Sequence, residues 1–470
     1  VTEKKKIEEF FEKAGLKPRP QQLEVSEELA RMLDSGSVGL EAPTGFGKTL
    51  VVLAALASRD EFPVLWRVRT YALAKHISQQ CALLNLRFFI AAGREKMCRA
   101  REEDTMRLLC RYLRHKCPYF DAISQIPGDV FDYIELRERM QNGCPYYAQL
   151  SVRAQVYIGV HKLGLPIPRE IEVFDEAHHL IEVKSLPLNI VYDALKEIQM
   201  PKNTLSGIAH PKAFAEEITP IVLEYIDEGK KLLVAPKLLS LLSRAEVAWI
   251  DEGKLYFVER YIPRIKAIYV SATLSPLADI LHVPIIKVPA NRRKAYVTTW
   301  LTTQFQEYDV RTAQRYNDLL FLLRKYFRKI LAFATERVAA LIHYDLDEDN
   351  LDTLEDWVGV LLIKARGKRA EGVNLRAEAV VSLGAPFPPP FAACTRIGLS
   401  LETLAAITTV QNIGRSIRGP SDNPFIILAD RRFLKLTQLQ SNFELIEVND
   451  LQELDKILRQ RREQSSQQAK

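Results

Sequence analysis

Apolar positions along the chain fall into two rhythms. Near the start, Ile7, Phe10, Phe11 and Ala14 recur at helical spacing, which predicts an amphipathic helix. Short, mostly apolar runs follow at residues 38–40 and 171–174, and both read as buried strands. Between 183 and 255 the helical period returns, in LNIVYDALKEI, PKAFAEEITPIVLEYIDEGKKLL and APKLLSLLSRAEVAWI. The stretch from about 285 to 455 is expected to form a parallel sheet wound with helices. The end, RQRREQSSQQAK, is polar, and a frayed tail is expected over 456–470.

Both buried runs end in chemistry. After the first comes Ala42-Pro-Thr-Gly-Phe-Gly-Lys-Thr49, which fits the phosphate-loop pattern except that Ala42 replaces its first glycine. Gly45 and Gly47, with Thr44 beside them, let the backbone curl so that its N–H groups face phosphate. Lys48 reaches the terminal phosphates of ATP, and Thr49 can hold Mg2+. A helix over residues 49–57 points its positive end at the anion. The second run delivers Asp175 and Glu176. The first carboxylate suits the metal, through water, and the second suits the attacking water as general base. Taken alone, either feature has a plain structural reading: a chance glycine turn, or acidic residues at a helix N-terminus. Together they read as one nucleotide site. His178 and His179 do not form a zinc-protease pattern, which needs His before Glu.

Bulk properties narrow the field without deciding it. The chain has 470 residues, with room for two to four domains, and 47% hydrophobic and 26% charged content are ordinary for a globular protein. A net charge of +6 permits a nucleic-acid partner without arguing for one. No run of 18 apolar residues occurs, so no transmembrane helix and no membrane partner are expected. The opening VTEKKKIEEFFEKAG has no signal-peptide core. Six cysteines are too sparse for a disulfide scaffold, and a cytoplasmic or nuclear compartment is expected. Cys81 and Cys394 read as packing residues. The other four, Cys98, Cys110, Cys117 and Cys144, stand with eleven, six and 26 residues between them. Four thiolates could hold an iron–sulfur cluster or zinc, or no metal at all. The spacing is poor for zinc knuckles, which use close Cys-x-x-Cys pairs.

With the acidic motif Asp-Glu-Ala-His in place, the chain resembles superfamily 2 helicases, and further motifs follow in order. RPQQ looks like the adenine-sensing element, with Gln22 on the base. VLWRVRTYAL looks like the strand-to-loop element that contacts DNA, through Arg69 and Thr70. VSATL resembles the motif that couples ATP state to DNA grip. ILAFAT reads as the first strand of a second motor domain, ARGKRAEGVNL would turn Glu371 and Gly372 toward the domain cleft, and QNIGRSIRGPSD looks like the last motif, with Gln411 among the nucleotide contacts. Arg415 and Arg418 stand three apart, so both can face one side of a helix as arginine fingers.

A cysteine quartet between the phosphate loop and Asp-Glu-Ala-His is similar to the XPD/DinG group of helicases. So are LEAPTGFGKTL, FDEAHH, SATL, AEGVNL, GAPFPPP and QNIGRSIR, spread over residues 19 to 432. The resemblance implies an α/β fold of two RecA-like motor domains, with an iron–sulfur insert and a helical arch insert in the first. It implies that Cys98, Cys110, Cys117 and Cys144 ligate a 4Fe-4S cluster, with Arg94 near cluster and DNA. The expected layout is a first motor domain at 1–90, 150–183 and 255–285, a cluster domain at 90–150, an arch-like domain at 183–255 and a second motor domain at 285–455. The implied activity is ATP-dependent 5′→3′ unwinding by a monomer on single-stranded and forked DNA, in nucleotide-excision repair with repair-protein partners. The compact length resembles the archaeal form. Two rival readings are a DinG-like helicase acting on R-loops and a DNA-binding ATPase without productive unwinding. A third is a phosphate-loop switch with a zinc insert, against which the paired arginines argue.

Overall fold

The structure, a computed structural model, describes residues 3–99, 110–120, 129–140, 142–251, 253–261, 263, 265–289, 292–304, 306–349, 357–365, 375–388, 398–417 and 422–468. The chain divides into two compact units: Val1–Leu40 with Thr49–Ile286, and Glu41–Lys48 with Lys287–Lys470.

The first unit is built on a seven-stranded sheet. Its spatial order is Ile285–Lys287, Val38–Glu41, Ala267–Ser271, Ile171–Asp175, Val64–Val68, Val156–Val160 and Phe88–Ile90. The four pairings from Ala267–Ser271 across to Phe88–Ile90 are all parallel. Parallel strands covered on both faces read as unbroken apolar runs, which is why VGLE, VYIGV and AIYVS lack alternation. Ile7 and Phe11 of the helix Glu3–Lys13 pack with Ala54, on the helix that follows the phosphate loop. Cys81 is buried in the helix Tyr71–Leu83, a packing residue as expected. Cys394 lies outside the described residues.

The stretch expected to be a helical arch is more than helical. The helices Leu188–Glu197, Pro211–Asp227 and Ala235–Leu242 are there, sharing a core of Val191, Leu195, Phe214, Ile218 and Leu239. Beside them is a three-stranded antiparallel sheet in the order Ile181–Pro187, Lys254–Arg260, Ala245–Asp251. Ile181–Pro187 and the central strand Lys254–Arg260 run across the anticipated 183 and 255 boundaries, so the sheet was hidden by where the stretch was cut. Trp249 stacked on Tyr256 at 5.5 Å is a cross-strand pair of the kind that stabilises such a ribbon.

The second unit carries its own seven-stranded sheet, ordered Leu346–Asp347, Gly359–Lys364, Lys329–Ala334, Ala379–Leu383, Phe425–Ala429, Arg293–Thr298 and Phe443–Val448. Every neighbouring pair in it is parallel. The strand containing ILAFAT is not its first in sequence, because Arg293–Thr298 precedes it. The polar tail is corrected too. A helix runs from Leu451 to Gln468, with Leu454 and Leu458 fully buried against the sheet's core. Those leucines are four apart, so a boundary at 456 cut through the apolar stripe that anchors the helix.

Candidate functional site

The phosphate loop is shaped by its glycines. Gly45 lies at φ 79° and Gly47 at φ 87°, the left-handed region that a Cβ penalises. Lys48 begins the helix Lys48–Arg59, and its ammonium donates to the carbonyl of Ala42 at 3.1 Å and of Pro43 at 3.4 Å. The lysine therefore lies along its own loop. Thr44 is exposed and Thr49 half-buried. Gln22 is buried in the helix Pro20–Met32, where its Oε1 accepts from Arg19 N at 2.9 Å.

Asp175 and Glu176 stand at the carboxyl end of a central strand. Asp175 pairs with Val270, and its Oδ1 accepts from Glu176 N at 3.1 Å. Glu176 adopts φ 52°, ψ 49°, a left-handed conformation rare outside glycine. The next residues tie the acidic motif to its neighbours. His178 Nδ1 lies 3.3 Å from Glu176 Oε2 and 3.0 Å from Ser271 Oγ, so the acidic motif touches the Ser-Ala-Thr motif through one imidazole. Ser271 Oγ also accepts from Thr273 N at 3.1 Å. The His179 ring meets the guanidinium of Arg69. Thr70 is the N-cap of Tyr71–Leu83, its Oγ1 accepting from Leu73 N at 3.3 Å.

In the second unit, Gln411 is on the helix Leu401–Gly414 and Arg415 is its C-cap, with the guanidinium 5.7 Å from the Phe333 ring centroid. Asn412 donates to Ala365 O at 3.0 Å and fixes the helix on the sheet. Within this same unit, a Cβ added to Gly414 would meet Thr44 Oγ1 at 2.8 Å, so the absence of a side chain lets this helix end lie against the phosphate loop. Arg418, Glu371 and Gly372 lie outside the described residues.

The four insert cysteines are all half-buried. Cys98 caps the short helix Arg94–Met97, which packs against the helix Pro145–Ala148 that Cys144 caps. Burial pushes the Cys144 thiol up, and the nearby Cys110 and Cys117 push it further. Arg94 stacks 4.8 Å from the centre of the Tyr146 ring and lies within electrostatic reach of Cys110. Cys144 is thus within electrostatic reach of Cys110 and Cys117, and Arg94 within reach of Cys110. Among the described residues, no group of three His, Cys, Asp or Glu side chains stands at metal-holding spacing.

No family model matches the sequence, and no curated protein matches it. Solved structures do. One described as an XPD helicase aligns over 92% of this chain and 100% of its own, with TM-score 0.64 at 20% identity. An XPD structure in the apo form aligns over 90% and 100%, with TM-score 0.59 at 20% identity. The chain has the XPD helicase fold. A third similar structure, S. tokodaii Xpd4, aligns over 92% and 100%, with TM-score 0.59 at 17% identity.

Within that XPD fold, sequence reasoning missed four buried polar residues. Arg67 and Glu172, 1% and 0% exposed, form an ion pair inside neighbouring strands. His161 donates from its ring to the carbonyl of Asp175. Gln149, fully buried, accepts from Ala92 N at 2.7 Å and donates to Ala92 O and Tyr146 O at 3.0 Å, which joins the two chain segments that bracket the cysteines. A signal was available for the first pair: a charged residue inside VLWRV and inside IEVFD, both otherwise apolar runs.

Proposed function

We propose that this chain is an ATP-driven helicase of the XPD kind, moving 5′→3′ on single-stranded DNA, opening the duplex ahead, and serving nucleotide-excision repair. The observation that carries the reading is the joint one: left-handed glycines in a phosphate loop, a carboxylate pair ending a central strand, and an XPD fold over nine-tenths of the chain. Lys48 leaves its own loop's carbonyls for the phosphate oxygens of ATP. Asp175 and Thr49 are the residues for Mg2+, which neutralises charge on the β- and γ-phosphates when bound. Glu176 takes the proton of the attacking water as the new oxygen–phosphorus bond forms. The bond from γ-phosphorus to the β-phosphate oxygen breaks, giving ADP and phosphate, and the proton passes on to the phosphate. Arg415 and Arg418 are assigned the transition-state charge.

Cys98, Cys110, Cys117 and Cys144 are the residues we assign to a 4Fe-4S cluster. The donor set of four half-buried thiols fits it, and such a cluster would cross-link short segments into a rigid edge for strand separation. A forked duplex with a 5′ single-stranded arm should be unwound with ATP, and one with only a 3′ arm should not. Unwinding confined to DNA–RNA hybrids would favour the DinG-like duty. DNA-stimulated ATP turnover without strand displacement would leave an ATPase that binds DNA.

A further inference from the structure

The Asp175–Glu176 peptide is where the strand turns into the acidic motif, and the structure holds it at both ends. Its N–H donates to Asp175 Oδ1 at 3.1 Å. Its carbonyl faces His161 Nε2 at 2.7 Å. A carbonyl only accepts, so this ring nitrogen carries a proton. The hold matters because Glu176 is left-handed, a conformation that persists only where the surroundings over-determine it. Beyond the turn, the Glu176 carbonyl accepts from His179 N at 3.0 Å. If the peptide plane rotated, the Glu176 carboxylate would swing with it.

His161 is in turn placed by buried charge. Its N–H donates to Val68 O at 2.8 Å, and its own carbonyl accepts from Arg67 Nη1 at 3.0 Å. The same nitrogen donates to Leu163 O at 3.0 Å. Glu172 anchors the guanidinium from the other side, Nε to Oε2 at 2.7 Å and Nη2 to Oε1 at 3.3 Å. Tyr261 adds its hydroxyl at 2.9 Å and its ring at 4.6 Å. A buried ion pair is a poor way to stabilise a sheet, since matching apolar side chains often do as well. What it supplies is a fixed fork of donors. Here the fork grips the turn that carries His161, and Glu172 stands three residues before Asp175 on the same strand.

We propose that His161 is a positioning residue for nucleotide hydrolysis, holding the Asp175–Glu176 peptide so that Glu176 faces the attacking water, and that the Arg67–Glu172 pair holds His161. The proposal rests on the reading of Glu176 as the base for ATP. His161→Phe keeps a ring against Phe174, 6.3 Å away between centroids, and removes the ring N–H. Its kcat for ATP should fall about 10²-fold, with KM within about twofold. His161→Gln, whose amide nitrogen reaches the place of Nε2, should recover most of the rate. His161→Asn, whose amide falls short, should not, and this pair keeps the test alive if the Phe variant does not fold. In a Glu176→Gln background His161→Phe should cost nothing further, because the group it positions is gone. An equal loss in both backgrounds, or full kcat in His161→Phe, overturns the proposal. If Glu176→Gln itself turns over ATP at the parent rate, the base assignment has failed, which is a separate result.

Discussion

The end of the Ile171–Asp175 strand and the cysteine insert hold their chemistry in opposite ways. Asp175 is carried by a backbone ladder, three strands deep on either side, with the register fixed by Glu172 opposite Ala267 and Leu65. Among the described residues, the insert shows no such ladder behind its cysteines. Arg94–Met97, Cys110–Leu113 and Pro145–Ala148 are four-residue helices, far below the length that stands alone. Side chains hold them instead: Arg94 on Tyr146, Phe120 edge-on to Tyr147 at 5.4 Å, and Lys96 over Tyr71 at 4.3 Å. A ladder tolerates the loss of a side chain, whereas an assembly of side chains does not. The two regions should therefore fail separately.

The largest effect tests the ladder side. Lys48→Ala should abolish ATP hydrolysis while the fold and DNA binding persist, because among the described residues the lysine's partners are its own loop's carbonyls. Measured turnover above the detection limit would sink the phosphate-loop assignment. Cys117→Ser tests the other side. Iron and acid-labile sulfide, about four of each per chain in anaerobically purified parent protein, should be lost along with unwinding. DNA-stimulated ATP turnover should remain within about tenfold of the parent. Normal unwinding by this variant would show that the insert is no wedge. Stoichiometric zinc, or no metal in the fresh parent protein, would remove the cluster and leave the two-sheet ATPase.

What the sequence made legible follows the same division. The strands ending in Asp175 and preceding the phosphate loop could be read because a doubly covered parallel strand is apolar at most positions, and the functional residue follows it. The αL glycines could be read because only glycine relieves that geometry. Gln22 and Thr70 were singled out by motif position, and their side chains turn out to serve their own helix starts. The antiparallel sheet was not legible, since Ala245–Asp251 mixes buried and exposed positions irregularly and carries a register shift at Ala245/Val247. His161 was not legible at all. Its role depends on a hydrogen bond to a carbonyl fourteen residues away, and carbonyls leave no trace in composition.

Gln149 sharpens the comparison at intermediate size. Gln149→Leu should destabilise the protein by about 3 kcal/mol, because Ala92 N–H, Ala92 C=O and Tyr146 C=O each lose a buried partner. Denaturant unfolding measures the loss, and iron retention in the same variant should fall while ATP turnover survives. A stability within about 0.5 kcal/mol of the parent would mean that the insert is held by its rings alone.

The smallest effect lies where the motor sheet meets the antiparallel one. Glu259 Oε2 accepts from Lys162 Nζ at 2.7 Å and from Lys184 Nζ at 2.8 Å, and Arg244 lies 3.6 Å from its other oxygen. Burial pushes the Glu259 carboxyl up, but the two lysine hydrogen bonds outweigh it and hold the group below the ordinary carboxylate range. Its folded-state value is thus lower than its unfolded one. The stability it contributes is complete above the unfolded value, near pH 4.3, and is lost as pH falls through the folded one. Because Lys162 and Lys184 are 40% and 33% exposed, solvent screening limits the contribution to about 1 kcal/mol. Glu259→Gln should therefore be less stable than the parent by about that much at pH 7, and the gap should close below about pH 4. A gap that stays constant with pH would place its source in packing rather than charge. This junction would then belong with the side-chain-held insert, not with the ladder.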